Sequence, residues 1–348
     1  MTPTFAAPSL RARALSLLVV LGAGPSATAQ AITTVKLATL APEGSPWHLM
    51  LQDLAAQWKS VSGGRVVLRV YAGGVAGDEP DVVRKMRTGA LQAGVLTAVG
   101  LAEIDAAVHA MSLPMIFADA AEATAVFDKM KPRLEAGLDK KGFMILAWAD
   151  AGWIHFFAQK PVETPEDLRD HKLFTWAGDA QGTEAWRSAG FHPVPLASAE
   201  ILAALQTGEV TALGCPPRVA LIAQYYNHAR HMTDLPWQFL IGAIAIAKES
   251  WDRVPADARP ALKKAAEEAG RRLRDENLKS GGSDLEAMKR RGLHVVPVAA
   301  KARAQWESLA VSLYPKLRGS LVPGDVVEEA LKYRAAYRKA ASRTAGSH

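Results

Sequence analysis

A chain of 348 residues, 49% of them hydrophobic, is long enough to bury a large core, most naturally as two domains. Its one cysteine, Cys215, excludes an intramolecular disulfide framework. The formal charge of +6 comes from dispersed residues, as where Lys263 and Arg274 alternate with Glu267, Glu268, Asp275 and Glu276; this is a solvated helix face, and the absence of a basic cluster interleaved with aromatics excludes a nucleic-acid surface.

The chain opens with Arg11 and Arg13, an apolar run at 14–22, then Gly24-Pro25-Ser26 and Ala27-Thr28-Ala29. This is the layout of a cleavable export signal, residues 1–29, with cleavage near Ala29 and an exported product starting near Gln30. Loss of the two arginines takes the charge from +6 to +4 (6 − 2). The run is far shorter than the roughly 18–20 residues of a membrane span. No cysteine follows it to carry a lipid, and no later run spans, so the mature chain is expected not to cross the membrane.

From residue 34, strand and helix patterns alternate. Residues 34–39 alternate as a strand; Pro42-Glu43-Gly44 turns; Ser45 and Pro46 are a cap and first helical position for a helix over 47–61. A second strand is expected at 65–71, a helix at 78–89 and a short buried strand at 93–96. Further strands fall at 143–149, 153–158 and 172–176. A helix at 182–189 leads to an extended edge at Pro193-Val194-Pro195, a helix at 198–207 closing at Gly208, and a strand at 210–213. A long charged helix runs from 252 to a break at Gly281-Gly282, and a last helix covers 322–340. Alternation of this kind predicts an α/β protein with mixed, mainly parallel sheets flanked by helices. Crossings at Ala149-Asp150-Ala151-Gly152 and Leu235-Pro236-Trp237 divide it into two lobes with a cleft between them. Lobe I is expected to take 33–152 and 236–280, lobe II 153–235 and 281–320, and residues 321–348 a C-terminal helix and tail.

Several segments resemble one family, the solute-binding proteins of TRAP transporters (DctP type). They are Lys36-Leu37-Ala38-Thr39 with Ser45-Pro46-Trp47-His48; Gly73-Gly74 and Gly77-Asp78 with the helix to Arg87-Thr88-Gly89-Ala90-Leu91-Gln92; Leu113-Pro114-Met115-Ile116-Phe117; Thr164-Pro165-Glu166-Asp167-Leu168; and Ala204-Leu205-Gln206-Thr207-Gly208-Glu209-Val210 before Pro216-Pro217. The resemblance covers roughly residues 33–320. It implies a two-lobed periplasmic binding protein fold (type II-like). It also implies an extracytoplasmic receptor, not an enzyme, that hands a small molecule, usually a carboxylate, to membrane-embedded TRAP transporter subunits. The family's carboxylate-clamping arginine falls where this chain has Phe174, and its polar pair before Pro-Pro where this chain has Leu213-Gly214-Cys215. Burying a carboxylate without a guanidinium partner costs several kcal/mol. Trp176 lies two residues on and on the same strand face as Phe174. The expected ligand is therefore more apolar or aromatic than a simple monocarboxylate.

The remaining candidates carry two readings each. Trp153, Trp176 and Trp237, near strand ends or crossings, line the cleft or fill the core. Glu43, Trp47 and His48 stand at the first ligand-side loop, where His48 is a capping group or a contact. Asp179 precedes a helix as a contact or a cap. Arg218, after Pro216-Pro217, is the nearest charge to the missing clamp or a solvent-facing arginine. Cys215 has no nearby base and reads as a small hydrophobe. His228 and His231 are too few for a metal site, the glycines at 73, 74 and 77 make no dinucleotide or phosphate fingerprint, and no cofactor is expected. An exported hydrolase would need a Gly-x-Ser-x-Gly elbow, which is lacking. A receptor that presents its ligand to a membrane sensor uses the same clamp as a transport receptor.

Overall fold

In the computed structural model, residues 1–4, 31–319 and 321–345 are described, so the export signal and its cleavage point lie almost wholly outside the described residues. Ten strands are formed: β1 Thr33–Ala38, β2 Val66–Tyr71, β3 Ala93–Thr97, β4 Phe143–Ala158, β5 Lys172–Trp176, β6 His192–Leu196, β7 Ala212–Cys215, β8 His231–Thr233, β9 Gln238–Ala247 and β10 His294–Val296. They form two sheet halves sharing β4. One half runs β2-β1-β3-β9-β4 and the other β4-β7-β5-β6, with β8 on the far side of β4 and β10 beside it. Each half with its helices is a lobe. Helices flank the sheet, and the central strands β4 and β9 are largely apolar. In β9 (QFLIGAIAIA) the last five residues are all buried.

The pairing is more mixed than the expected mainly parallel sheet. β1 pairs with β2 and β3, and β5 with β6 and β7, in parallel. Every pair made by β4 or β9 is antiparallel. These two are the longest strands, β4 being the one shared by both halves, and β9 has no helical or strict alternating period to mark it in the sequence.

Two boundaries also differ from expectation. Residues 143–149 and 153–158 are one continuous strand, because the expected crossing at 149–152 is a bulge, with register shifts at Ile145/Ala147 and Asp150/Gly152. Gly152 takes φ +88°, which only glycine adopts without strain. Gly281-Gly282 does not end the long helix, which runs Arg259–Lys289. Its packing against β4 and its neighbours outweighs a propensity loss of about 1 kcal/mol per glycine.

The helix Pro46–Val61 begins as the sequence predicts. Ser45 accepts from His48 N, and Pro46 takes the first position, where its missing N–H costs nothing. The helix Pro165–Arg169 opens with a capping box of Thr164 and Asp167. The C-terminal helix Gly324–Ala345 is tied to the helix Ala120–Lys140 by Arg338, whose guanidinium donates to the buried Glu122 at 2.6 and 3.0 Å, and by Arg133 with Glu329.

Candidate functional site

A cavity of about 400 Å³ lies where the two lobes face one another. Its walls come from the loop after β1 (Thr39 to Pro42), the ends of β3, β5 and β7, the bulged middle of β4, and the residues Leu313, Leu317 and Leu321. This placement follows from the fold, since the C-terminal ends of parallel strands open onto the crevice between lobes.

Of the residues singled out in the sequence, Trp47, Phe174, Trp176, Asp179, Cys215 and Trp237 line the cavity. Phe174 and Trp176 share one face of β5, and their rings meet edge to face with centroids 5.2 Å apart. Trp237 is buried among Phe156, Trp186 and Trp306, with centroids 5.4–5.8 Å from it. The Trp47 indole N–H donates to Asn277 Oδ1 at 3.4 Å, and Asn277 in turn donates to the Asp150 carbonyl at 2.5 Å. Asp179 accepts from Gly182 N at 2.7 Å, so it caps the helix Ala180–Ser188 while still facing the cavity. Burial drives the Cys215 thiol well above its usual range, which leaves it a neutral wall atom and not a nucleophile.

Four candidates stand apart from the cavity wall. His48 is buried and used internally, its Nδ1 accepting from Gly44 N at 2.9 Å and its Nε2 meeting Gln52. Glu43 is exposed in the same turn. Trp153 packs edge to face on Phe239 at 5.2 Å. Arg218 donates to the Glu276 carbonyl at 3.2 Å, which turns it toward the long helix.

The structure adds lining groups that sequence reasoning missed: Glu79, His109, Asp150, Trp186 and Tyr225. Glu79 is buried, and its carboxylate accepts from Thr97 N, Thr97 Oγ1 and Gly100 N at 2.8–3.0 Å. Desolvation outweighs those bonds and lifts it to about 7. Burial also raises Asp150, opposed by Arg274, whose Nε lies 3.4 Å from it. His109, on the 3₁₀ turn Ala106–Ser112, is depressed by desolvation, with the Asp179 carboxylate pulling the other way. No sequence pattern marks any of these, because each owes its place to a neighbour far away in the chain.

The charge of the cavity is the decisive feature. Among the described residues, no lysine or arginine lines it, and its ionisable carboxyls are Glu79, Asp150 and Asp179. Among the described residues, no group of three or more His, Cys, Asp or Glu side chains is placed to hold a metal ion, and no helix is long and apolar enough to cross a membrane.

The lobes touch at the rim. Asp78 accepts from Ser198 N at 3.1 Å and from Ser198 Oγ at 2.5 Å, linking the turn before the helix Glu79–Arg87 to the loop after β6.

Comparison with known proteins places this arrangement. A family model described as bacterial extracellular solute-binding protein, family 7, matches residues 37–319. A solute-binding protein of Verminephrobacter eiseniae is 27% identical over 282 residues, spanning 80% of this chain and 83% of its own. A TRAP periplasmic solute-binding protein from Ralstonia eutropha, solved with bound (S)-2-acetolactate, superposes with a TM-score of 0.81 at 22% identity, covering 87% of this chain and 99% of that one. Another from Roseobacter denitrificans, with bound β-D-glucuronate, gives 0.76 at 24% identity over 86% and 99%. Likeness at these identities is a likeness of fold.

Proposed function

This chain belongs to family 7 of the bacterial extracellular solute-binding proteins, and from that premise we propose that it captures a small organic molecule more apolar or aromatic than a simple monocarboxylate and delivers it to a membrane-embedded TRAP-type transporter. Family membership carries the receptor role, which is binding without turnover. The observation that carries the ligand class is the cavity wall. Phe174, Trp176, Trp186 and Trp237 supply aromatic surface, and no lysine or arginine among the described residues lines it.

The Ralstonia and Roseobacter proteins were solved with organic acids bound. A carboxylate in this cavity would find no guanidinium or ammonium on the wall and three carboxyl groups nearby. Arg274, next in the chain to the cavity-lining Leu273, is already engaged by Asp150. An unpaired buried carboxylate costs several kcal/mol, whereas burying an aromatic ring gains about 25 cal/mol per Å² removed from water.

Export through a signal cleaved near Ala29 completes the proposal, with lobes divided at 33–152 plus 236–280 and 153–235 plus 281–320. Native mass spectrometry of protein purified from its host should show a retained apolar or aromatic ligand. A thermal-shift panel should show stabilisation by aromatic compounds and none by succinate. Tight succinate binding with no response to any apolar compound sinks the ligand class. The mass of the same sample reads the mature N-terminus.

A further inference from the structure

An apolar ligand still has to be oriented, and two side chains in the cavity are placed to do so. His109 sits on the 3₁₀ turn Ala106–Ser112, in the chain between β3 and β4, and lines the cavity from the first lobe. Asp179 follows β5 and lines it from the second. The two are near enough for their charges to interact across the cleft. Among the described residues, the imidazole of His109 has no hydrogen-bond partner, unlike His48, His155 and His171, each held by an internal bond. Asp179 uses Oδ1 for its helix cap, which leaves its second carboxylate oxygen open as an acceptor.

We infer that His109 and Asp179 form a polar clamp, one jaw on each lobe, that recognises a proton-donating head group, a hydroxyl or an amine, on an otherwise apolar ligand. This rests on the apolar-ligand reading above and names what that ligand must also carry. A neutral imidazole offers one donor and one acceptor, and a carboxylate only accepts. A ligand O–H or N–H therefore satisfies both jaws, while a ligand carboxylate is repelled by Asp179. Because the jaws ride on different lobes, the head group also couples binding to closure. The wall positions of Phe174 and Trp176 then leave the aromatic part of the ligand against their rings.

The test uses three probes with one indole skeleton and different ends: tryptophol, tryptamine and indole-3-acetate. Each is titrated by calorimetry into the full-length mature protein, into His109→Phe and into Asp179→Asn. Asparagine keeps the helix cap, and phenylalanine keeps an aromatic side chain at 109; thermal midpoints check that both variants fold. The expected result is that tryptophol or tryptamine binds wild type at least about tenfold more tightly than indole-3-acetate, about 1.4 kcal/mol, and that both variants level the difference. Equal or tighter binding of indole-3-acetate overturns the clamp while leaving the aromatic-ligand reading standing. A preference that survives in both variants also overturns it. Failure of all three probes to bind overturns the clamp and the aromatic-ligand reading together.

Discussion

Glu79 shows how much a single residue's surroundings decide. Beside Asp78 and Pro80 in the sequence it is one more acidic residue at a helix start. In the fold it is buried, and desolvation raises it from its usual 4.5 to about 7 despite the donors at Thr97 and Gly100. The folded state therefore binds a proton more tightly than the unfolded one. No penalty exists below pH 4.5, where both states are protonated; it grows as pH rises toward 7 and is complete above it. At roughly 1.4 kcal/mol per unit this comes to about 3 kcal/mol. Glu79→Gln should therefore gain stability relative to wild type by about that amount between pH 5 and pH 8. Urea denaturation at a series of pH values checks this, and a pH-independent difference between the two proteins would show that Glu79 does not titrate on unfolding. Phe174 and Trp176 are the opposite case. Their shared strand face is legible from period two alone, and the structure puts both on the cavity wall.

At the scale of elements, local signals work where they are strong and local. Ser45-Pro46 starts a helix where its cap predicts one. Strand β5 has the bounds its pattern predicts. Local signals fail where packing overrides them. Gly281 and Gly282 read as a break, yet the helix Arg259–Lys289 continues through both. A Cβ added at either glycine would meet nothing within 4 Å. Gly281→Ala should therefore stabilise the protein by about 0.5–1 kcal/mol through helix propensity. A rise in the urea midpoint with unchanged slope measures it; a fall would mean the helix is broken there after all. β9 is missed for a related reason. A strand buried by helices on both faces carries no alternation, so its pattern resembles any apolar run.

For the whole molecule, the contacts between lobes set what binding requires. Gly178, in the turn after β5, lies so close to Pro80 of the other lobe that a Cβ there would be 2.4 Å from Pro80 Cγ. Asp78 and Ser198 meet at the same rim. Gly178→Ala should hold the lobes apart without disturbing either one's core. Ligand affinity should fall at least about tenfold, with the thermal midpoint of the ligand-free protein unchanged and its radius of gyration by X-ray scattering increased. Unaltered affinity would show that closure at this rim is not coupled to binding.

The sequence by itself determined the α/β class, the starts of helices such as Pro46–Val61 and Glu79–Arg87, the family, and the presence of Phe174 where the family resemblance leads one to expect an arginine. Each of these is written in short-range pattern or in the identity of one residue. Only the tertiary structure decided that β4 is one bulged strand belonging to both lobes, that Arg218 turns toward Glu276, and that His109 and Asp179 face one cavity. Those facts depend on residues brought together from distant parts of the chain. No periodicity records such pairings, because burial, electrostatic repulsion and hydrogen bonding act through space and not along the chain.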